Sequence, residues 1–144
     1  MKNCVLTIFL LALTTAGFAQ EARRASDGTC VVFPCVVATL SVTNQTAAVS
    51  ETALFTPTTS GLFRVTYYME SSPILASVWG LQFKYADDLK VRSEPVVRVN
   101  PGQSPSFSLM FRDVAGQPIT YAVTQIKSSP DAYYDLFITV EQLQ

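Results

Sequence analysis

The sequence contains no histidine. Histidine is the commonest general base in enzymes and the central member of Ser-His-Asp and Cys-His catalytic groups, so its absence excludes those forms of catalysis. A zinc site normally takes four ligands, with imidazole among the commonest, and the chain has only three cysteines to use instead. We therefore expect a protein that is not an enzyme and that holds neither a metal nor a cofactor.

Charge is also sparse: the 144 residues include ten basic and eleven acidic side chains. The basic side chains form no run or patch, which argues against nucleic acid and anionic membrane surfaces as partners. Long apolar runs are missing as well. The run at Val5–Leu13 is too short for a membrane-spanning helix, which needs about 20 apolar residues. We expect no membrane insertion once the N-terminal segment has been removed.

That N-terminal segment has the layout of a secretory signal peptide. Lys2 gives it a positive charge, the apolar run follows, and Gly17 and Ala19 occupy the −3 and −1 positions of a cleavage site. We therefore predict that residues 1–19 are a signal peptide and that the protein is exported, either secreted or periplasmic.

The remaining chain fits one domain of the commonest size. Residues 20–29 are small and polar and predict a flexible leader, and residues 30–144 predict a single domain. Cys30 and Cys35 flank a turn at Pro34, and disulfides persist in exported proteins. We predict a Cys30–Cys35 disulfide, with a redox or metal-binding pair as the alternative.

Alternation of apolar and polar residues dominates the rest of the sequence. Segments such as VVATLSV and TYAVTQI are rich in β-branched residues, and turn signals such as NPGQSP, AGQP and SSPD separate the segments. No segment has a convincing helical period. The pattern predicts an all-β protein, an antiparallel β-sandwich of about eight to ten strands.

The alternation also assigns side chains to faces of the predicted strands. The aromatic strand that begins near Gly61 has Tyr68 on its outer face, and the last strand has Tyr133 and Phe137 on its outer face. In four predicted strands the apolar residues share one face, and we expect that face to line the core. Strand by strand, these residues are Phe63, Val65, Tyr67 and Met69; Trp79, Leu81, Phe83 and Tyr85; Phe107, Leu109 and Phe111; and Ala132, Tyr134, Leu136, Ile138 and Val140.

Three segments in order resemble the jelly-roll domains of the C1q/tumour-necrosis-factor-like family: LFTPTTSGLFRVTYYM, SFSLMFRDVAGQPITYAV and YYDLFITVEQL. The resemblance covers roughly residues 36–143, and the chain is also similar to small secreted or phage-associated bacterial β-sandwich domains with no assigned chemistry. The residues that carry the C1q-like resemblance are Phe55, Pro57, Gly61, Leu62 and Phe63 in the first segment, and Gly116, Ile119 and Tyr121 in the second.

The resemblance implies a jelly roll that assembles as a homotrimer. The chain departs from the family in two respects that concern calcium use and assembly. Gln117 follows the turn glycine where the family has an acidic residue, and no collagen-like stalk precedes the domain.

Carboxylates are the remaining candidates for chemistry, since a glycosidase uses two of them several ångströms apart. All but Asp113 fall in predicted turns or on outward faces, so a carboxylate-dependent hydrolase is the least favoured function. Asp87 and Asp88 are also candidate calcium ligands, with an ordinary polar turn as the alternative. The carboxylates concerned are Glu70, Asp87, Asp88, Glu94, Asp113 and Asp135.

The outward aromatic residues Tyr68, Tyr133 and Phe137 predict a subunit interface or a ligand-binding face, unless a loop covers them. We expect an exported, non-enzymatic binding or assembly module that acts in adhesion or surface structure, is a homo-oligomer and binds a protein or a glycan. The alternative is a small lectin-like module that uses Trp79 or an exposed tyrosine as a platform for sugar rings. Asn44-Gln45-Thr46 matches an N-glycosylation acceptor.

Overall fold

The computed structural model describes residues 32–73 and 76–144. Within these residues the regular structure consists of nine β-strands, so the all-β prediction is confirmed. None of the described residues forms a helix long and apolar enough to cross a membrane. The signal peptide, the leader and Cys30 lie outside the described residues. The strands are β1 (Cys35–Gln45), β2 (Val49–Phe55), β3 (Gly61–Ser71), β4 (Val78–Ala86), β5 (Val91–Ser93), β6 (Val97–Val99), β7 (Ser106–Asp113), β8 (Ile119–Lys127) and β9 (Tyr134–Gln142).

The strands form two antiparallel sheets. The four-stranded sheet has the order β1-β9-β3-β7; the five-stranded sheet has the order β2-β8-β4-β5, and β6 also pairs with β4. Successive strands alternate between the sheets except along β4, β5 and β6, and this is the strand order of a jelly roll. The predicted β-sandwich is confirmed.

The core lies between the two sheets and is built from the faces that the alternation predicted. Trp79 from the five-stranded sheet is fully buried, and its ring centroid lies 4.7 Å from that of Tyr134 in the four-stranded sheet. The rings of Tyr85 and Phe111 stack across the same gap at 3.9 Å. Aromatic pairs of this kind bury large areas and fix the spacing of the sheets.

One predicted core-face position is not covered. Phe107 shares a face with Phe111 along β7, but its side chain is 60% exposed whereas Phe111 is buried. β7 is an edge strand, and the five-stranded sheet covers only the end of it that holds Phe111. Alternation predicts which face a side chain lies on, but it does not predict how far the opposite sheet extends.

The C-terminus is held against the start of β3. The backbone N–H of Leu62 donates to the carbonyl of Gln144, and the N–H of Leu143 donates to the carbonyl of Leu62. A Cβ atom at Gly61 would lie 2.3 Å from that Gln144 carbonyl oxygen. Only glycine permits this close approach, which accounts for the glycine that opens the aromatic strand.

Candidate functional site

The strongest candidate site is the outer face of the four-stranded sheet, which no other described element covers. The registers align its side chains in rows across the strands. One row consists of hydroxyls from all four strands, namely Thr39, Thr139, Thr66 and Ser108. The hydroxyl oxygens of Thr66 and Ser108 lie 3.2 Å apart. Hydroxyl groups both donate and accept hydrogen bonds, so this row can bind polar groups of either kind.

The adjacent row holds the two aromatic residues that the sequence placed outward. Tyr68 and Phe137 are paired in register between β3 and β9, and their ring centroids lie 6.0 Å apart. Tyr68 is 36% exposed and Phe137 39% exposed. Ser41 and Ser106 continue the row on the two outer strands. The structure therefore brings Tyr68 and Phe137 together as one aromatic patch.

Tyr133 does not join this patch. It precedes β9, is half-buried, and its backbone N–H donates to the Ser72 hydroxyl at 3.3 Å. Among the described residues, ring contacts link Tyr68 with Phe137 but do not extend to Tyr133. The predicted face thus contains two aromatic residues in contact and a third beyond the end of the strand.

Two carboxylates flank the aromatic patch at one end. Glu70 and Asp135 are opposite each other in register, a pairing that the sequence could not indicate because the two residues belong to distant segments. The Tyr68 hydroxyl donates to Glu70 Oε2 at 2.7 Å, and the backbone N–H of Asn44 donates to Asp135 Oδ1 at 2.7 Å. The hydrogen bond to Glu70 is the main cause of a raised Tyr68 pKa, with burial second. The phenol therefore stays a neutral donor at physiological pH.

An ion pair lies at the other end of the face, beyond the hydroxyl row. Arg64 Nε donates to Glu141 Oε2 at 2.6 Å. The hydrogen bond from Arg64 lowers the pKa of Glu141, and the same bond raises the pKa of Arg64. Both groups stay charged at neutral pH, so the outer face runs from carboxylates through aromatic rings and hydroxyls to an ion pair.

The carboxylate of Asp87, in the turn between β4 and β5, has structural partners. Asp87 Oδ1 accepts backbone N–H groups from Leu89 and Lys90 at 3.0 and 2.9 Å, and Oδ2 accepts from Arg92. The Arg92 bond, followed by the Lys90 and Leu89 bonds, lowers the pKa of Asp87. This geometry is that of a polar hairpin turn in which the carboxylate caps the backbone. Within residues 32–73 and 76–144, no group of three or more Cys, Asp or Glu side chains could hold a metal ion.

Asp113 is the one buried carboxylate among the six candidates, with only 1% of the residue exposed. Its Oδ1 accepts the backbone N–H of Ala86 at 2.8 Å, and the N–H of Val114 donates to the Ala86 carbonyl at 3.0 Å. β7 is thereby fastened to the end of β4 in the opposite sheet. Burial raises the pKa of Asp113, against the backbone hydrogen bonds that favour the charged form. We assign Asp113 a structural role between the sheets.

Two further sequence-derived candidates are placed by the structure. Trp79 is fully buried, as its phase in β4 predicted, so it cannot be the sugar platform of the lectin-like alternative. Cys35 is disulfide-bonded, while Cys30, its predicted partner, lies outside the described residues.

Comparison of the sequence with protein-family models and with curated proteins returns no match.

Proposed function

We propose that the protein is an exported, non-enzymatic binding module that acts in adhesion or surface structure, and that the outer face of the four-stranded sheet is its binding surface. The observation that carries the proposal is the pairing of Tyr68 and Phe137 on this uncovered face. Partly exposed aromatic residues in contact are enriched at binding surfaces, because they offer large apolar area with little conformational freedom to lose.

The chemistry around the rings favours a carbohydrate ligand. Each ring is only about a third exposed, and hydroxyls and carboxylates surround the pair. Sugar rings present apolar C–H faces that pack on aromatic rings, and their hydroxyls bond to groups such as Glu70 and Asp135. A large apolar protein interface would instead need a wider hydrophobic centre.

The shape of the surface favours a polysaccharide over a single sugar. Small ligands are usually enclosed in a cleft that buries most of their surface, whereas the outer face is an open sheet surface. A chain laid across β9, β3 and β7 would meet Phe137, Tyr68 and Ser106 in turn, since these residues occupy one row. We therefore propose an extended glycan as the ligand class.

The test is binding of the purified protein to a panel of soluble and insoluble polysaccharides. Tyr68→Ala should weaken binding by about tenfold or more, since the ring and its contact with Phe137 are both lost. Tyr68→Phe keeps the ring and should bind within a few-fold of wild type. Val91→Ser, which removes an exposed aliphatic side chain from the other sheet, serves as the surface control.

Two outcomes would contradict the glycan proposal. One is the absence of binding to every polysaccharide in the panel, which would direct the search to protein ligands for the same face. The other is binding that Tyr68→Ala and Phe137→Ala leave unchanged, which would move the binding surface elsewhere. Emission from Trp79 should not respond to any glycan, because its indole is buried.

A further inference from the structure

The edge strands of the two sheets differ in how they are protected from pairing with another chain. Exposed edges are normally blunted by bulges, prolines, lysines or short length. The ladders of β1 and β2 each contain two register shifts, and β5 and β6 are three residues long. β7 has none of these features: its eight residues pair with β3 in an unbroken register and include neither proline nor lysine.

The hydrogen bonds next to β7 show which of its backbone groups are free. The N–H of Met69 in β3 donates to the carbonyl of Pro105, the residue before β7, at 3.1 Å. The odd-numbered residues of β7 therefore form the hydrogen bonds to β3. Antiparallel strands alternate, and the even-numbered residues of β7 therefore direct their N–H and C=O groups away from β3. These residues are Ser106, Ser108, Met110 and Arg112. Apart from this ladder, no backbone hydrogen bond within the described part of the chain involves them.

Apolar side chains flank this free edge on both faces of the sheet. Phe107 lies on the inner side and is 60% exposed, and Met110 lies on the outer side and is 65% exposed. The segment from Ser106 to Phe111 carries no charged residue. A strand added here would bond to the backbone groups and cover both side chains.

We propose that β7 pairs antiparallel with β7 of a second copy, so that two four-stranded sheets join into one continuous sheet. A two-fold interface must be self-complementary, and an antiparallel strand meets this condition with its own copy. No like charges would oppose each other within Ser106–Phe111, and the added strand would cover Phe107 on the inner side and Met110 on the outer side of each copy. The pairing uses the backbone groups at the edge of β7 and does not involve Tyr68 or Phe137, so it does not require that the outer face bind a glycan.

The test uses a substitution that removes only an outward-facing group. Ser108→Pro deletes an N–H that points away from β3, a position where edge strands tolerate proline. Ser108→Ala is the matched control, because it loses the same hydroxyl contact with Thr66 but keeps the N–H. Met110→Lys places a charge on the edge and is the second variant if the proline variant fails to fold.

Sedimentation velocity over a concentration series should show a dimer for wild type and Ser108→Ala. Ser108→Pro and Met110→Lys should raise the dimer dissociation constant by about tenfold or more while keeping the β-sheet circular dichroism of wild type. Single cysteines at 106, 108 and 110 should cross-link most strongly near one position, the two-fold axis, and less on either side.

A wild-type protein that stays monomeric at high concentration would overturn the proposal, as would a dimer that neither variant weakens. A trimer, which the C1q-like resemblance implies, would also overturn it, because a two-fold strand pairing cannot produce three copies. Tyr68→Ala should leave the dimer dissociation constant unchanged, because Tyr68 takes no part in the β7 pairing, and this separates failure of this proposal from failure of the glycan-binding face.

Discussion

Replacing Trp79 with alanine should lower the free energy of unfolding by about 3–5 kcal/mol, the range for removing a large aromatic side chain from a core. Trp79 is the largest of the fully buried side chains among the described residues, and it packs on Tyr134 from the opposite sheet. Its removal would leave a cavity between the sheets that rigid strands cannot close. Chemical denaturation followed by circular dichroism measures the loss, since the variant has no tryptophan signal.

Trp79→Phe is the matched control and should cost less than half as much. Phenylalanine refills most of the volume, and it removes an indole N–H that is buried without a hydrogen-bond acceptor among the described residues. A decrease in the free energy of unfolding below about 1 kcal/mol for Trp79→Ala would contradict the burial described for this residue, because removing so large a side chain from a core destabilises a protein by more than that.

Replacing Asp113 should separate its hydrogen bond from its charge. Asp113→Ala leaves the Ala86 N–H buried without its acceptor and should cost about 1–3 kcal/mol. Asp113→Asn keeps an acceptor at the same place and removes the buried charge. We expect the asparagine variant to be at least as stable as wild type at neutral pH.

The pH dependence follows from the raised pKa of Asp113. The usual value for such a carboxyl is 3.8, and burial places the pKa above this in the folded state. The folded state therefore holds the Asp113 proton more tightly than the unfolded state does. The resulting contribution to stability is complete at pH values below the unfolded-state pKa, and it is lost as the pH rises through the folded-state pKa. The advantage of Asp113→Asn over wild type should be smallest near pH 3.8 and should grow above it.

Glu141 acts in the opposite direction. Arg64 lowers its pKa from 4.5, so its contribution is present above that value and is lost as the pH falls through the folded-state pKa. Comparing Asp113→Asn with wild type at each pH cancels this contribution, because both proteins contain the ion pair. Urea denaturation at intervals from about pH 4 to pH 7 is the measurement. A constant difference between the two proteins would show that the pKa of Asp113 is not raised in the folded state.

The period of two was enough to predict the fold class and most faces. Along β9 it placed Tyr134, Leu136 and Ile138 in the core and Phe137 outside, as the structure shows. Period-two faces are local properties of a strand, so a single sequence contains them. The same alternation correctly predicted that Trp79 is buried. The lectin-like alternative therefore lost Trp79, its best candidate for a sugar platform.

What the sequence could not show depends on which strands become neighbours. Glu70 and Asp135 face each other only because β3 pairs with β9 in one register, and these two strands lie far apart in the chain. The exposure of Phe107 requires β7 to be an edge strand. The free backbone groups of β7 have the same origin. Strand order is set by the packing of the whole sandwich, so the features most relevant to binding emerge only from the fold.

The neighbouring positions of β1 and β9 have a mechanical consequence. Cys35 at the start of β1 is paired with Gln142 at the end of β9, so the chain enters and leaves the domain at one end of the same sheet. Tension applied between these two ends would load the hydrogen bonds of the ladder one at a time, since they run perpendicular to the strands. The domain would unzip at low force. A load carried from the outer face to the Cys35 end would instead pull along β1 against β9. A load carried to the Gln142 end would pull along β9 against β1 and β3, and either load would strain many bonds at once.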